Sequence, residues 1–152
     1  MQIHELTKKE CLETLTSLKF GRLGCSRNNQ PYIVPMYFAY HERYLYSVAR
    51  LGQKIEWMRA NPLVSVEADE IIDQYHWTSV IVQGRYEELL ETAGRRGREL
   101  AHELLKERAL WWQPALVTTA HVVAPKESTP VYYRIRIDQV SGRRARPGSA
   151  RL

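Results

Sequence analysis

The stretch from Tyr44 to Pro62, YLYSVARLGQKIEWMRANP, constrains this chain more than any other. Tyr44, Leu45, Tyr46, Ser47 and Val48 form an aromatic and β-branched run suited to a pleated, half-buried strand. At Gly52 the run breaks into helical spacing, with Ile55 and Met58 as apolar positions and Leu63 beyond them. Pro62 sets the end of that helix, since it offers no N–H and disfavours helical backbone in the residue before it. A helix start presents unpaired N–H groups and a positive dipole end, and Gly52 lets the backbone come close to whatever sits there. With Lys54 in the first turn, the Ser47 hydroxyl before it, and Arg50 and Gln53 beside it, this corner has the groups a phosphate dianion needs.

The rest of the chain reads as β-rich. Thr7 and Glu10 form a capping box that starts a helix with Leu12, Leu15 and Leu18 inward, ending at Phe20-Gly21. Strands follow over Gly21 to Ser26, Pro31 to Tyr40 and Tyr44 to Ala49, joined by turns at Arg27-Asn28-Asn29-Gln30 and His41-Glu42-Arg43, so an antiparallel meander is expected. Leu63 to Glu67 is the next strand, Asp69 to Tyr75 a polar connection, and Trp77 to Leu90 a long bent strand with Gly84 at its bulge. Arg95 to Arg108 reads as a helix with Leu100, Ala101 and Leu104 inward and a charged, solvated face. Ala109 to Thr129 has a weak pattern, a loop with a short strand, and Val131 to Val140 closes the sheet with Tyr133, Ile135 and Ile137 on one face. Hairpin connections and few helices favour a mainly β, closed antiparallel barrel over a doubly wound sheet.

Four pieces in order carry a family resemblance: Phe20-Gly21-Arg22-Leu23 with PYIVPMYFAY (Pro31 to Tyr40), the Ala49-x-x-Gly52-x-Lys54 corner with Asn61-Pro62, Trp77 to Arg85, and Tyr133 to Asp138 leading into Ser141-Gly142-Arg143. Together they resemble the flavin-binding split barrels related to pyridoxamine 5′-phosphate oxidase, including the nitroimidazole-resistance branch. The resemblance implies an antiparallel, Greek-key-like split β-barrel that binds FMN in a groove between the subunits of a homodimer. It implies that Ser47, Gln53 and Lys54 hold the FMN phosphate, with Arg50 as helper and with Tyr46 and Val48 on the same strand. It also implies that Val34, Pro35 and Met36 run along the isoalloxazine ring, with Ser79 and Val80 as a second ring-facing strand. Pro35 supports this from its own chemistry, because it would break a ladder bond in a central strand. Trp112, beside Trp111, is the candidate lid against the partner's flavin. Ser47 stands where the nitroimidazole-resistance branch shows a His, and the C-terminal segment does not match the basic motif of the true pyridoxamine phosphate oxidases. The expected activity is therefore flavin-dependent oxidation and reduction of an unidentified small molecule. A deazaflavin or haem carrier, a non-catalytic flavin sensor and a nucleic-acid-binding module remain as alternatives.

Composition bounds the rest. A chain of 152 residues suits one domain, expected over residues 1–140, followed by a basic, flexible tail at 141–152. That tail holds four Arg and no acid, so most of the net charge of +5 resides there. The N-terminal MQIHELTKKE has no apolar signal core and no apolar run approaches the roughly 18 residues of a membrane span, so the cytoplasm is the expected compartment. Cys11 and Cys25 match neither a metal pair nor a disulfide framework and are expected as buried free thiols. The five His show no metal spacing, and no hydrolytic triad stands out.

Overall fold

Eight antiparallel strands form a single sheet in the computed structural model, which describes residues 1–91, 95–106 and 130–148. In chain order the elements are β1 (Gln2–Glu5), α1 (Lys8–Ser17), β2 (Phe20–Arg27), β3 (Gln30–Tyr37), β4 (Ala39–His41), β5 (Tyr44–Arg50), α2 (Gln53–Ala60), β6 (Leu63–Asp73), β7 (His76–Glu88), α3 (Arg95–Lys106) and β8 (Pro130–Arg146). Across the sheet the order is β3-β2-β6-β7-β8-β5-β4, with β1 added on β8. The β2–β3, β4–β5 and β6–β7 hairpins are tied together by the β2–β6, β7–β8 and β5–β8 pairings, which is the expected split-barrel arrangement.

The expected ring is not closed. β3 and β4 follow one another in the chain yet lie at opposite edges of the sheet, and no ladder joins β3 to β4 or β5. The single strand expected over Pro31 to Tyr40 is therefore cut at Phe38, a fully buried residue whose N–H donates to the Lys19 carbonyl at 3.0 Å. Among the described residues Pro35 sits on an edge strand, paired only with Arg22, a position that tolerates a residue without an N–H.

Local chemistry accounts for most of the elements. The capping box forms as read: the Thr7 N–H donates to Glu10 Oε1 at 2.9 Å and the Glu10 N–H to Thr7 Oγ1 at 3.2 Å. The two-residue turns place Asn28, Asn29, Glu42 and Arg43 at positive φ, which matches the right-handed twist of the strands they connect. The interior is filled by Leu15, Leu23, Met36, Leu45, Ile55, Met58, Val66, Val80, Val82, Tyr133 and Ile135, all with almost no exposed surface. Cys11 and Cys25 are buried free thiols within it. A second cluster lies outside the barrel, where Ala101 and Leu105 of α3 cover Ala39, Tyr46 and Tyr132.

Two expectations about chain ends and connections are corrected. Asp69 to Tyr75 is not an irregular link: β6 continues to Asp73 and turns directly into β7. Ser141 to Arg146 is not a flexible tail, because β8 runs through it, paired to β7 on one side and β1 on the other, with Ala145 fully buried. Backbone ladders on both edges order a segment whose side chains alone could not. Beyond Lys106, the expected loop and short strand over residues 109–129 lie outside the described residues, as do residues 149–152.

Candidate functional site

The gap between the two sheet edges holds a cavity of about 700 Å³. Tyr32, Val34, Pro35 and Tyr37 line it from β3, Ser47, Val48, Ala49 and Arg50 from β5, Leu51 to Lys54 from the β5–α2 corner, and Leu105 from α3. Its walls are apolar and aromatic, and its polar groups collect at the corner. Arg50 and Lys54 are its cations, and among the described residues no carboxylate lines it. Such a cavity favours a flat, partly apolar ligand with an anionic end.

Helix α2 supplies the anion-binding geometry. Its N-cap is Gly52, in extended backbone; the N–H groups of Gln53, Lys54 and Ile55 have no intrahelical acceptor, and among the described residues no side chain caps them. Gly52 is not held there by strain. A Cβ at this position would find its nearest heavy atom, the Arg50 carbonyl oxygen, at 3.9 Å, so the glycine leaves the rim bare.

The helix is fixed at both ends. Ile55 and Met58 sink into the core, and Trp57 packs on Tyr32 with ring centroids 5.4 Å apart. Arg59 forks onto Glu88 of β7 (Nε to Oε1 2.7 Å, Nη2 to Oε2 3.2 Å), and the Tyr86 hydroxyl donates to the same Oε1 at 2.6 Å. Arg59 and Tyr86 together hold the Glu88 carboxyl below the usual range, although its partial burial works the other way. Past the helix, the Asn61 side-chain amide donates to the Ser26 carbonyl at 3.1 Å, while its oxygen accepts from the Leu63 N–H at 3.2 Å. The first turn of α2 is thereby aimed at the gap.

Lys54 is half-buried at the cavity's end. Burial lowers its pKa from the ordinary lysine value, and the nearby Cys25 acts in the opposite direction. Across the gap, Ser47 Oγ donates to the Tyr37 carbonyl at 2.6 Å, a side-chain latch between two strands that share no ladder.

Of the residues singled out from sequence, Val34, Pro35, Ser47, Val48, Arg50, Gln53 and Lys54 come together on this cavity. Met36 and Val80 do not: strand alternation turns both into the core, where they are fully buried. Tyr46 also lies off the cavity, on the outer face of β5 beneath α3, where its hydroxyl accepts from Arg134 Nη1 at 3.3 Å. Ser79 is on β7, two strands from β5 in the sheet, and donates to Glu67 Oε1 at 3.1 Å. Trp112 lies outside the described residues. Sequence reasoning passed over Tyr32, Tyr37 and Leu105. The two tyrosines were legible as flanking aromatics on the Pro35 strand, whereas nothing local marks Leu105, which arrives from a distant helix. Among the described residues no group of three or more His, Cys, Asp or Glu could hold a metal ion, and no helix is long and apolar enough to cross a membrane.

Known proteins resemble this chain over nearly its whole length. A family model described as pyridoxamine 5′-phosphate oxidase matches residues 7–144. An uncharacterized protein of Rhizobium meliloti is 34% identical over 97% of this chain and 99% of its own length. Among solved structures, an FAD-binding protein from Mesorhizobium loti is 42% identical, with 97% of this chain and 99% of that chain covered and a TM-score of 0.79. The FAD binding protein from Mycobacterium smegmatis is 26% identical, with 94% and 98% covered and a TM-score of 0.63.

Proposed function

This chain belongs to the pyridoxamine 5′-phosphate oxidase family, and on that footing we propose that it is an FMN-binding flavoprotein, an oxidoreductase acting in the cytoplasm on an unidentified small molecule. One observation carries the reading: an apolar cavity in the split of the sheet ends at an uncapped helix N-terminus beside Lys54 and Arg50, with no carboxylate among its described lining. Gln53, Lys54 and Arg50 would hold the phosphate, while Val34, Pro35 and Tyr32 would bound the ring. The flavin, when bound, supplies the electron or hydride chemistry. The chain's own task is to grip the anionic end, set the ring against the β3 edge and exclude water from it. The relatives' names raise FAD as the other flavin, and titration with each flavin distinguishes the two.

The reading includes a homodimer with the flavin between subunits. Ile33, Leu63 and Ile81 are 70%, 56% and 47% exposed on one outward face of the sheet, joined by Gly24, Ser65 and Gln83 between them. An apolar face of this kind calls for a partner. Ser79, away from this chain's own cavity, would reach a ring only across such an interface. Sedimentation equilibrium is expected to give twice the 17.8 kDa chain mass, and a monomer at micromolar concentration would remove this part of the reading.

Lys54 gives the site a pH signature. Because burial lowers its folded-state pKa, the unfolded chain holds its proton more tightly, so folding stability rises with pH between that lowered value and the ordinary one. Phosphate binding runs the other way, since it needs the ammonium form. FMN affinity is expected to fall as pH rises toward the ordinary lysine range, riboflavin affinity to fall less, and the difference to vanish in Lys54→Ala. Fluorescence titrations at stepped pH check this. Parallel curves for the two flavins would detach Lys54 from the phosphate.

A further inference from the structure

The outward face read above as the dimer surface is apolar at Ile33, Leu63 and Ile81, yet a charged cluster lies among them. Glu67 of β6 stands directly opposite Arg22 on β2 and directly opposite Ile81 on β7. Its neighbours along the strand, Val66 and Ala68, are buried, so alternation turns Glu67 and Asp69 outward together. A surface that covers both Ile33 on β3 and Ile81 on β7 must cross β2 and β6, and it reaches Glu67 where that residue adjoins Ile81.

The cluster holds two carboxylates and one cation. Arg22 Nη1 lies 3.2 Å from Asp69 Oδ2 and 3.7 Å from Glu67 Oε2, with its guanidinium over the Phe20 ring at 5.1 Å. From β7, the Ser79 hydroxyl donates to Glu67 Oε1 at 3.1 Å. Arg143 of β8 lies opposite Ser79, one strand further, and pairs with neither acid. With both acids ionised, the group carries one uncompensated negative charge. Water screens it while the face is open, since the Glu67 and Asp69 side chains are 34% and 22% exposed. Under a second subunit that water leaves, and an unmatched charge in an apolar interface is costly. Two carboxyls in one site relieve that cost by sharing a proton. Burial and the Asp69 carboxylate already raise the Glu67 pKa above the ordinary range in the single chain, against the pull of Ser79 and Arg22.

Resting on the homodimer reading above, we propose that the Arg22–Glu67–Asp69 cluster is a proton-linked switch of subunit assembly: a carboxyl of each subunit takes up a proton as the second copy covers the face and releases it as the copies part. A symmetric dimer buries the cluster of each subunit, so proton uptake is doubled. The neutral, protonated cluster favours the dimer. That contribution is fully present below the ordinary carboxyl range and is lost as pH rises through the raised one. A flavin site shared between subunits is then most complete in mildly acid solution.

Sedimentation equilibrium of the ligand-free full chain, labelled so that nanomolar concentrations can be read, tests this in steps from about pH 5 to about pH 7.5. The dissociation constant of the wild-type dimer is expected to rise about 3- to 10-fold per pH unit. Glu67→Gln keeps the shape of the side chain without its titration, and should dimerise as the wild type does at the acid end, with no dependence on pH. Asp69→Asn should also lose the dependence, because Arg22 then serves Glu67 alone, and it stands in for the first variant if that one folds poorly. Glu70→Gln, at an exposed acid that alternation turns from this face, should keep the wild-type slope. A wild-type dimer that tightens as pH rises overturns the proposal, since a cation of the partner then matches the extra carboxylate. So does a slope that survives in both Glu67→Gln and Asp69→Asn. If the wild type is a monomer at micromolar concentration at every pH, the homodimer reading fails and the switch fails with it. If the dimer forms with an affinity independent of pH, only the switch is lost.

Discussion

Gly84→Ala is expected to destabilise the fold by about 2–4 kcal/mol, while Gly24→Ala in the neighbouring part of the same sheet stays within about 1 kcal/mol of wild type. A Cβ on Gly84 would overlap the Arg136 carbonyl oxygen and lie 2.8 Å from Ile135 Cγ2. The first of these obstacles is backbone and cannot swing aside. It could move only by opening the β7–β8 ladder, the pairing that carries the long strand β8 across the sheet. At Gly24 the nearest heavy atom, the Ser65 carbonyl oxygen, is 3.7 Å from the added carbon, an ordinary contact. The close approach at Gly84 comes from the bulge there: Gln83 pairs with Gln139 and Gly84 with Ile137, so Asp138 has no opposite number. Its carboxylate instead takes Arg136 Nε at 3.2 Å and Arg85 Nε at 3.4 Å, bridging two arginines that would otherwise face each other as like charges. Denaturant melts of the two variants decide the point. Equal midpoints would show that β7 and β8 can separate locally at little cost.

Lys54→Ala is expected to weaken FMN binding by about 1–3 kcal/mol, roughly 5- to 150-fold, without loss of fold. The side chain is half-buried at the cavity's end, and its lowered pKa marks the desolvation its charge bears in the free protein. A phosphate neighbour compensates that charge. Removing the ammonium therefore leaves the free protein no worse off, while the complex loses its main counter-charge. Riboflavin, which has no phosphate, should bind the variant and the wild type alike. If FMN and riboflavin weaken equally, the loss reflects a distorted cavity rather than a missing phosphate contact.

Much of this architecture was legible because local chemistry and tertiary structure agree. Thr7 and Glu10 announce α1, Asn28-Asn29 a tight hairpin, Asn61-Pro62 the stop of α2, and Gly84 a bulge, and in each case the physical requirement is met within a few residues. The break at Phe38 was not legible, since PYIVPMYFAY reads as one strand and only the placement of β3 and β4 at opposite sheet edges divides it. Strand β1 and the end of β8 were missed for a related reason: their side chains are mostly exposed, and their order comes from backbone pairing with partners far away in sequence.

The corner at Gly52 was read from residue types, and the structure adds what residue types cannot give. It places that corner against the β3 edge, unpaired among the described residues, and shows the Ser47 proton spent on Tyr37. Met36, Val80 and Tyr46 were assigned to the site by the family resemblance; alternation turns the Met36 and Val80 side chains into the core, and α3 covers that of Tyr46.

The central claim is that the split of the sheet, closed at one end by the first turn of α2, holds the anionic end of a flavin. A crystal structure of the protein with FMN tests it most directly. The expected result is a phosphate within hydrogen-bond distance of the Gln53 and Lys54 backbone N–H groups and of Lys54 Nζ, with the ring lying along Val34 and Pro35. A flavin bound elsewhere, or one in this cavity with its phosphate turned away from α2, would contradict the account.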